Sequence, residues 1–161
     1  MTASFPRYPL CPVCGDPAVN PHSLAVGWQW DAGERQVVGR FTPDERHAGY
    51  PGRMHGGLLA ALADECLAWV GAVSRRGFCM TGELTLRYLR PAVTGAEITV
   101  TGWLQEARGP YVRGIAEIRN LQGEVLVAAR GTFAVMAPED SLRLWQAMHR
   151  APGDLDILAG V

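Results

Sequence analysis

Residues 55–74 read HGGLLAALADECLAWVGAVS and predict one long helix. Alanine and leucine, both strong helix formers, dominate this stretch, and no proline interrupts it. Apolar side chains recur at helical spacing on nearly every side, which is typical of a helix buried in a protein core. Asp64 and Glu65 lie at its middle, where charged groups argue against a membrane span. Residues 75–77, Arg-Arg-Gly, predict its C-terminal end.

Two features of this helix point beyond a structural role. Gly56 and Gly57 expose the backbone N–H groups of the first turn, whose partial positive charge suits an anion or a polarised carbonyl oxygen. Asp64 follows Gly57 by seven positions, close to two full turns, so both lie on one face, whereas Glu65 points about 100° away. A carboxylate on a buried helix must be paired or take part in function. Taken singly, the glycines could form a tight turn and Asp64 could pair with an arginine.

The combination of these features resembles a known family. His55-Gly56-Gly57, an apolar run and Asp64-Glu65 are similar to the PaaI-like branch of the hydroxybenzoyl-CoA thioesterase superfamily. Residues 49–54 and 11–22 also resemble that branch, through Gly-Tyr-Pro-Gly-Arg-Met and through Cys-Pro-Val-Cys-Gly followed by Asn-Pro-His. The resemblance spans residues 11–137. It implies an acyl-CoA thioesterase, which hydrolyses a thioester to a carboxylic acid and CoA without a metal or an organic cofactor.

The resemblance also implies roles for individual positions. Asp64 matches the catalytic carboxylate, and Gly56 matches the amide that holds the thioester oxygen, with Gly57 beside it in the substrate-binding turn. His55 matches the motif histidine, which as a neutral ring at a helix N-terminus would donate a hydrogen bond. Thr81, opening the next strand, matches a Ser or Thr that helps position the water or the carboxylate.

One position departs from the family pattern. Many relatives carry Asn or Gln where this chain has Gly49, and that polar side chain helps to orient water or substrate. His47 is a candidate substitute in the substrate-binding loop, and the alternative is a solvated loop histidine. We keep both positions as substrate-binding candidates.

The spacing of the candidate groups predicts a shared active site. Gly57 and Asp64 are about 10 Å apart along the helix axis, so one carbonyl carbon cannot be within reach of both. Two antiparallel helices side by side would bring one N-terminus opposite the midpoint of the other. We therefore expect a two-fold homodimer with two composite sites, as the resemblance also implies, and a dimer of dimers is a further option.

Composition sets limits on the class of protein. The chain has 161 residues, of which 48% are hydrophobic, and fits one globular domain. Its formal net charge is −1, so nothing predicts nucleic acid or a membrane surface as partner. The N-terminus has no apolar signal core and the chain has only four cysteines, which predicts a cytoplasmic location with reduced thiols.

Residues 1–23 form an N-terminal arm rich in turn formers and contain a Cys-x-x-Cys pair, Cys11 and Cys14. A redox role would need the pair to open a helix after a strand, but Asp16 and a proline follow instead. A zinc site would need two more ligands, from Asp16, His22 or a second subunit. A tight turn that packs the arm is the simpler interpretation, so we predict no metal.

The remaining segments predict an antiparallel sheet. Residues 24–31 and 35–41 predict a hairpin, and a polar loop over 42–54 leads into the long helix. Period-two alternation predicts four later strands, around 84–88, 98–104, 112–118 and 125–135, and a short helix follows Pro138. One sheet can hide a helix that is apolar all round only by curling around it. We therefore expect an α+β hot-dog fold with five to six strands over residues 24–137, and a short helix and tail over 138–161.

Two other functions within this superfamily are weighed against hydrolysis. Dehydratases pair a loop histidine with an acid on the helix, and here the helix position at that spacing is Ala61, which argues against dehydration. A non-catalytic acyl-CoA-binding protein remains open, although the presence of Asp64 favours catalysis. The acyl group cannot be assigned, because core packing explains the candidate pocket aromatics equally well: Trp28, Trp30, Trp69, Trp103 and Phe133. Four arginines could bind the CoA phosphates: Arg87, Arg90, Arg108 and Arg113.

Overall fold

The computed structural model describes residues 2–159 and contains two α-helices, one short 3-10 helix (Glu45–His47) and nine strands in that range. In chain order the strands and α-helices are β1 (Thr2–Ser4), β2 (Trp28–Asp31), β3 (Gln36–Phe41), β4 (Ala48–Tyr50), β5 (Arg53–Met54), α1 (Gly56–Arg75), β6 (Cys79–Tyr88), β7 (Ile98–Arg108), β8 (Tyr111–Asn120), β9 (Val125–Val135) and α2 (Pro138–Ala147). Seven strands form one antiparallel sheet in the order β1-β2-β3-β7-β8-β9-β6. Strands β4 and β5 form a small ribbon before α1.

Helix α1 lies against the sheet and contacts strands β3 and β6 to β9. By length and composition it could cross a membrane, but its position against five strands is that of a core helix. Glycines in the facing strands allow the close approach. A Cβ added at Gly102 would lie 2.7 Å from Cys66 Sγ, and one added at Gly114 would lie 2.8 Å from Leu67 Cδ2. The predicted α+β hot-dog architecture is confirmed.

The sheet has one strand more than the five to six expected. The extra strand is β1, where Thr2 pairs with Asp31 and Ser4 with Gln29, so the first residues of the predicted arm belong to the sheet. Three residues are too short for a period-two pattern to be visible. Conversely, residues 24–27 are not a strand, because Ala25 has a φ of 54° and this segment bonds to the arm at Pro12 and Val13 instead.

The ends of both helices differ slightly from the predictions. Helix α1 ends at Arg75, and the left-handed residue that follows is Arg76, with a φ of 51°, instead of Gly77. Helix α2 begins at Pro138, a favourable first position because proline needs no hydrogen bond there. Its Ser141 Oγ accepts a hydrogen bond of 3.1 Å from the Phe78 N–H, which ties α2 to the start of β6.

Candidate active site

The start of α1 presents one free backbone donor. His55 is the N-cap, and its Nδ1 accepts a hydrogen bond of 2.9 Å from the Gly57 N–H. The Gly57 amide, predicted to face substrate, is therefore already paired. The Gly56 N–H, at the first helical position, donates to no group within residues 2–159. Because Nδ1 accepts, a neutral His55 ring carries its proton on Nε2 and can donate it.

Tyr88, at the end of β6, supports this turn and was not singled out as a site residue from the sequence. Its hydroxyl donates a hydrogen bond of 2.9 Å to the Gly56 carbonyl oxygen. A Cβ added at Gly56 would lie 3.4 Å from the Tyr88 ring, an ordinary van der Waals contact. The alternating pattern of β6 places Tyr88 on a face, but only the fold shows that this face meets the start of α1.

Asp64 lies two turns further along α1 and is held by the same strand. The Thr81 hydroxyl donates a hydrogen bond of 2.8 Å to Asp64 Oδ1. Asp64 is half-buried and Thr81 is exposed. Since Oδ1 accepts from Thr81, Oδ2 remains available to a water molecule or a reacting carbonyl carbon. A carboxylate held in this way can act as a general base or a nucleophile.

His47 and Gly49 have structural contacts in the loop before α1. His47 Nδ1 accepts a hydrogen bond of 3.0 Å from the Asp44 N–H, and its ring packs edge-on against Phe41. A Cβ added at Gly49 would lie 3.0 Å from His55 Cδ2. The absence of a side chain at Gly49 therefore leaves room for the His55 ring. An Asn or Gln there would have to displace it.

Glu65 faces a different part of the protein from Asp64. The Trp28 indole N–H donates to Glu65 Oε1 at 2.9 Å, and the Cys11 thiol donates to Oε2 at 3.0 Å. Burial raises the pKa of Glu65 to about 8. Cys14 completes this cluster, whereas Asp16 and His22 are outside it within the described part of the chain. Glu65 was thus missed as a neighbour of the cysteine pair, because the two are 54 positions apart.

The aromatic and arginine candidates for substrate binding lie in different environments. Three of the aromatic side chains belong to the core, since Phe133, Trp28 and Trp69 are at most 5% exposed. Arg108 and Arg113 line a surface cavity of about 500 Å³. Two of the candidate arginines have acidic partners: Arg113 pairs with Glu106 at 3.1 Å, and Arg90 pairs with Glu124 at 3.5 Å.

Gly56 and Asp64 do not meet within one chain. They are eight positions apart on a regular helix, about 12 Å along its axis. Each is instead next to a different end of β6, Gly56 beside Tyr88 and Asp64 beside Thr81. Strand β6 forms an edge of the sheet, so both groups lie along a free edge.

Comparison with known proteins shows which family this chain resembles. The thioesterase superfamily profile matches residues 51–127. The acyl-coenzyme A thioesterase THEM4 of Xenopus laevis is 29% identical over 110 residues, which are 68% of this chain and 49% of the relative, so the chain spans about half of that enzyme's length. A thioesterase superfamily protein of known crystal structure is 30% identical in sequence. The two structures match with a TM-score of 0.71, and the match covers 78% of this chain and 60% of that one. The PaaI protein of E. coli, from the phenylacetic acid degradation operon, shares the fold at 23% identity, with a TM-score of 0.65 over 76% of this chain and 86% of that protein.

The profile match covers the segment that carries the turn at Gly56, the carboxylate of Asp64 and the Thr81 hydroxyl. The two structural matches cover 78% and 76% of this chain. The chain is therefore similar to the thioesterase superfamily over residues 51–127, and it has the hot-dog fold of its structural relatives.

Proposed function

We propose that this protein is an acyl-CoA thioesterase of the PaaI-like branch, working as a homodimer with two composite active sites. One observation carries the proposal: α1 presents a free Gly56 N–H and, two turns later, a carboxylate oriented by Thr81. Thioester hydrolysis requires these two elements, a donor for the carbonyl oxygen and a base or nucleophile for the carbonyl carbon. The name of the Xenopus relative supports acyl-CoA as the substrate class.

The proposed reaction uses only groups on the chain. The thioester oxygen accepts hydrogen bonds from the Gly56 N–H and from His55 Nε2, which stabilise the negative charge that develops on it. Asp64 takes a proton from water, whose oxygen attacks the carbonyl carbon, or Asp64 attacks that carbon directly and water hydrolyses the resulting anhydride. In either route the C–S bond breaks, and CoA leaves as a thiolate that then takes a proton.

The edge strand β6 supports the dimer. It is ten residues long, and an edge of this length exposes main-chain donors and acceptors that readily pair with another strand. Met80 and Tyr88 on it are 58% and 54% exposed, so this edge offers apolar surface to a second copy. If two copies paired about an axis between Leu84 and Thr85, Thr81 would lie opposite the partner subunit's Tyr88. That pairing would bring Asp64 of one subunit towards Gly56 of the other.

Two alternative functions, dehydration and acyl-CoA binding without catalysis, would require different features of the site. A dehydratase would need a free loop histidine and an acid one turn earlier, whereas His47 Nδ1 is already paired and the helix has Ala61 at that position. A non-catalytic acyl-CoA-binding protein would keep the fold without turnover. Activity measurements separate this second alternative from the proposal.

The direct test is a panel of acyl-CoA thioesters, aryl and aliphatic, short and long, assayed for release of free CoA thiol. We expect hydrolysis of at least one member, and loss of most turnover in Asp64→Asn, whose amide is near-isosteric but cannot act as base or nucleophile. Glu65→Gln is the matched control, because Glu65 is the adjacent acid and faces the cysteine pair. Binding without hydrolysis across the panel would establish the non-catalytic alternative.

Subunit mixing tests the composite site. Gly56→Pro removes the free donor and fits the local structure, because Gly56 is at the first helical position and His55 before it has an extended backbone, with φ −64° and ψ 133°. Each homodimer, Gly56→Pro or Asp64→Asn, should be nearly inactive. When the two are unfolded and refolded together, mixed dimers should regain one intact site. Mixtures that demonstrably exchange subunits but remain inactive would refute a site shared between chains.

A further inference from the structure

The N-terminal arm meets α1 at a cluster that the proposed reaction does not use. The Sγ atoms of Cys11 and Cys14 and a carboxylate oxygen of Glu65 all lie within 4.8 Å of one another. The two cysteines come from one turn of the arm, and Glu65 comes from the middle of α1. Thiolate and carboxylate groups converging in this way form a donor set that Zn²⁺ accepts.

The turn between the cysteines directs two backbone donors at Cys11 Sγ, which would stabilise this sulfur as a thiolate once it gives up its proton to act as a metal ligand. The backbone N–H groups of Val13 and Cys14 donate to Cys11 Sγ, at 3.3 and 3.4 Å. The turn is closed by a further bond of 3.0 Å from the Gly15 N–H to the Cys11 carbonyl oxygen. Such N–H···S bonds favour the negatively charged sulfur that coordinates a metal. The turn therefore has the geometry of a ligand loop without a metal to organise it.

The distances fit a tetrahedral ion. With Zn–S bonds of about 2.3 Å and Zn–O bonds of about 2.1 Å, tetrahedral ligand atoms lie about 3.6–3.8 Å apart. The Cys11 Sγ to Glu65 Oε2 distance is 3.0 Å, and the whole cluster lies within 4.8 Å, so side-chain adjustments alone would reach this spacing. Three protein ligands leave a fourth position for water or another small ligand.

The neighbouring space can hold that fourth ligand. Cys11, Cys14 and Glu65 line a cavity of about 340 Å³, which Trp69 also lines. Trp69 is 5% exposed, and its indole N–H is a buried donor without a hydrogen-bond partner among residues 2–159. Buried donors are rarely left unpaired, and within the described part of the chain the structure around this cavity has one unmet hydrogen-bond donor. This observation is independent of the cysteine geometry.

We propose that Cys11, Cys14 and Glu65 bind one Zn²⁺ ion, which fixes the N-terminal arm to α1 and keeps its fourth coordination position open to the adjoining cavity. The site is separate from the proposed active site, because Glu65 and Asp64 are on different sides of α1 and contact different groups. The ion would thus stabilise the position of the arm without taking part in thioester hydrolysis.

The test is metal binding by the full chain, reduced, treated with a chelator and desalted. Titration with Zn²⁺ against a chromophoric chelator should give one bound ion per chain. Co²⁺ in place of Zn²⁺ should give the visible bands of a tetrahedral ion and a near-ultraviolet thiolate-to-metal band. Protease digestion should cleave the arm more slowly in the Zn²⁺-loaded protein than in the metal-free protein.

Substitutions assign the ligands. Cys11→Ser and Cys14→Ser should each abolish the thiolate-to-metal band and the stoichiometric Zn²⁺ binding. Glu65→Gln should weaken binding and alter the visible Co²⁺ bands. Cys79→Ser is the matched control, because Cys79 lines the same cavity but is outside the three-residue cluster. It should bind one Zn²⁺ as the unchanged chain does.

The metal-free variants provide a check on folding. Each should unfold in one cooperative transition, and Zn²⁺ should raise the midpoint for the unchanged chain and for Cys79→Ser but not for Cys11→Ser or Cys14→Ser. Reduced, folded protein that binds no stoichiometric Zn²⁺ would overturn the proposal. So would binding that survives both cysteine substitutions.

Discussion

The hydrogen bond between Thr81 and Asp64 gives a quantitative prediction. Thr81→Val replaces the hydroxyl with a methyl group of similar size and removes the 2.8 Å bond to Asp64 Oδ1. A hydrogen bond to a charged acceptor contributes about 1.5–3 kcal/mol, and the exposure of Thr81 places this one at the low end, about 1–2 kcal/mol. At about 1.4 kcal/mol per factor of ten, we expect kcat to fall about 5- to 30-fold.

A double-mutant cycle shows whether that loss acts through the carboxylate. In the Asp64→Asn background, the same Thr81→Val change should lower kcat about twofold or less, because the charged acceptor is already gone. Turnover is followed as free CoA thiol released under saturating acyl-CoA. Thermal unfolding of each variant establishes that the fold is retained.

Two control variants accompany the cycle. Thr81→Ser keeps the hydroxyl and should keep most of the activity. Thr85→Val removes a hydroxyl from the same strand that contacts Glu83 at 3.5 Å instead of Asp64. Because Thr85 adjoins the proposed dimer axis, this variant is first shown to be dimeric, and its kcat should then be near the original value. Thr81 would not position the carboxylate if the free-energy losses calculated from kcat for Thr81→Val and Asp64→Asn simply added in the double variant. The same conclusion would follow if Thr81→Val left kcat unchanged.

Three other predictions concern packing, the helix start and pH. Gly114→Ala would place a Cβ 2.8 Å from the side chain of Leu67 and should lower the free energy of unfolding by about 1–3 kcal/mol in denaturant titrations. Gly27→Ala is the control, because its Cβ would meet only the end of an arginine side chain, and it should change the free energy of unfolding by no more than about 0.5 kcal/mol. Equal destabilisation by the two substitutions would contradict the close packing of the helix against the sheet. Tyr88→Phe removes the bond to the first helical carbonyl and should reduce turnover a few-fold with little change in unfolding temperature; unchanged turnover would remove Tyr88 from the site. In the metal-free protein, the raised pKa of Glu65 makes a contribution to the free energy of unfolding that is fully present below the ordinary pKa of 4.5 and is lost as pH rises through about 8. Glu65→Gln should therefore flatten the dependence of the free energy of unfolding on pH. Identical pH profiles for the variant and the unchanged chain would contradict this prediction.

The elements with strong local patterns could be predicted from the sequence. The long helix was expected over residues 55–74 and spans Gly56–Arg75, because its apolar residues and helix formers extend without interruption. The last strand, Val125–Val135, was expected with those bounds from its period-two alternation. A helix that is apolar on nearly every side then required a sheet around it.

Weak local signals gave the errors. Strand β1 has three residues, and only its pairing with β2 makes it a strand. Residues 24–27 look like a strand in sequence, but they bond to the arm, so β2 begins at Trp28. In both places a distant segment decides the backbone conformation, and local propensity cannot represent it.

For the candidate site, the available residue types and the two-turn spacing of Gly56 and Asp64 on one helix can be read from the chain alone. The neighbours of the site residues depend on the fold: Thr81 is 17 positions from Asp64, Tyr88 is 32 positions from Gly56, and Cys11 is 54 positions from Glu65. The physical reason is the range of the interactions. Helical spacing follows from local backbone geometry, which the sequence encodes directly. A hydrogen bond between distant segments depends on strand register and on how the sheet packs against the helix, and these are properties of the whole fold.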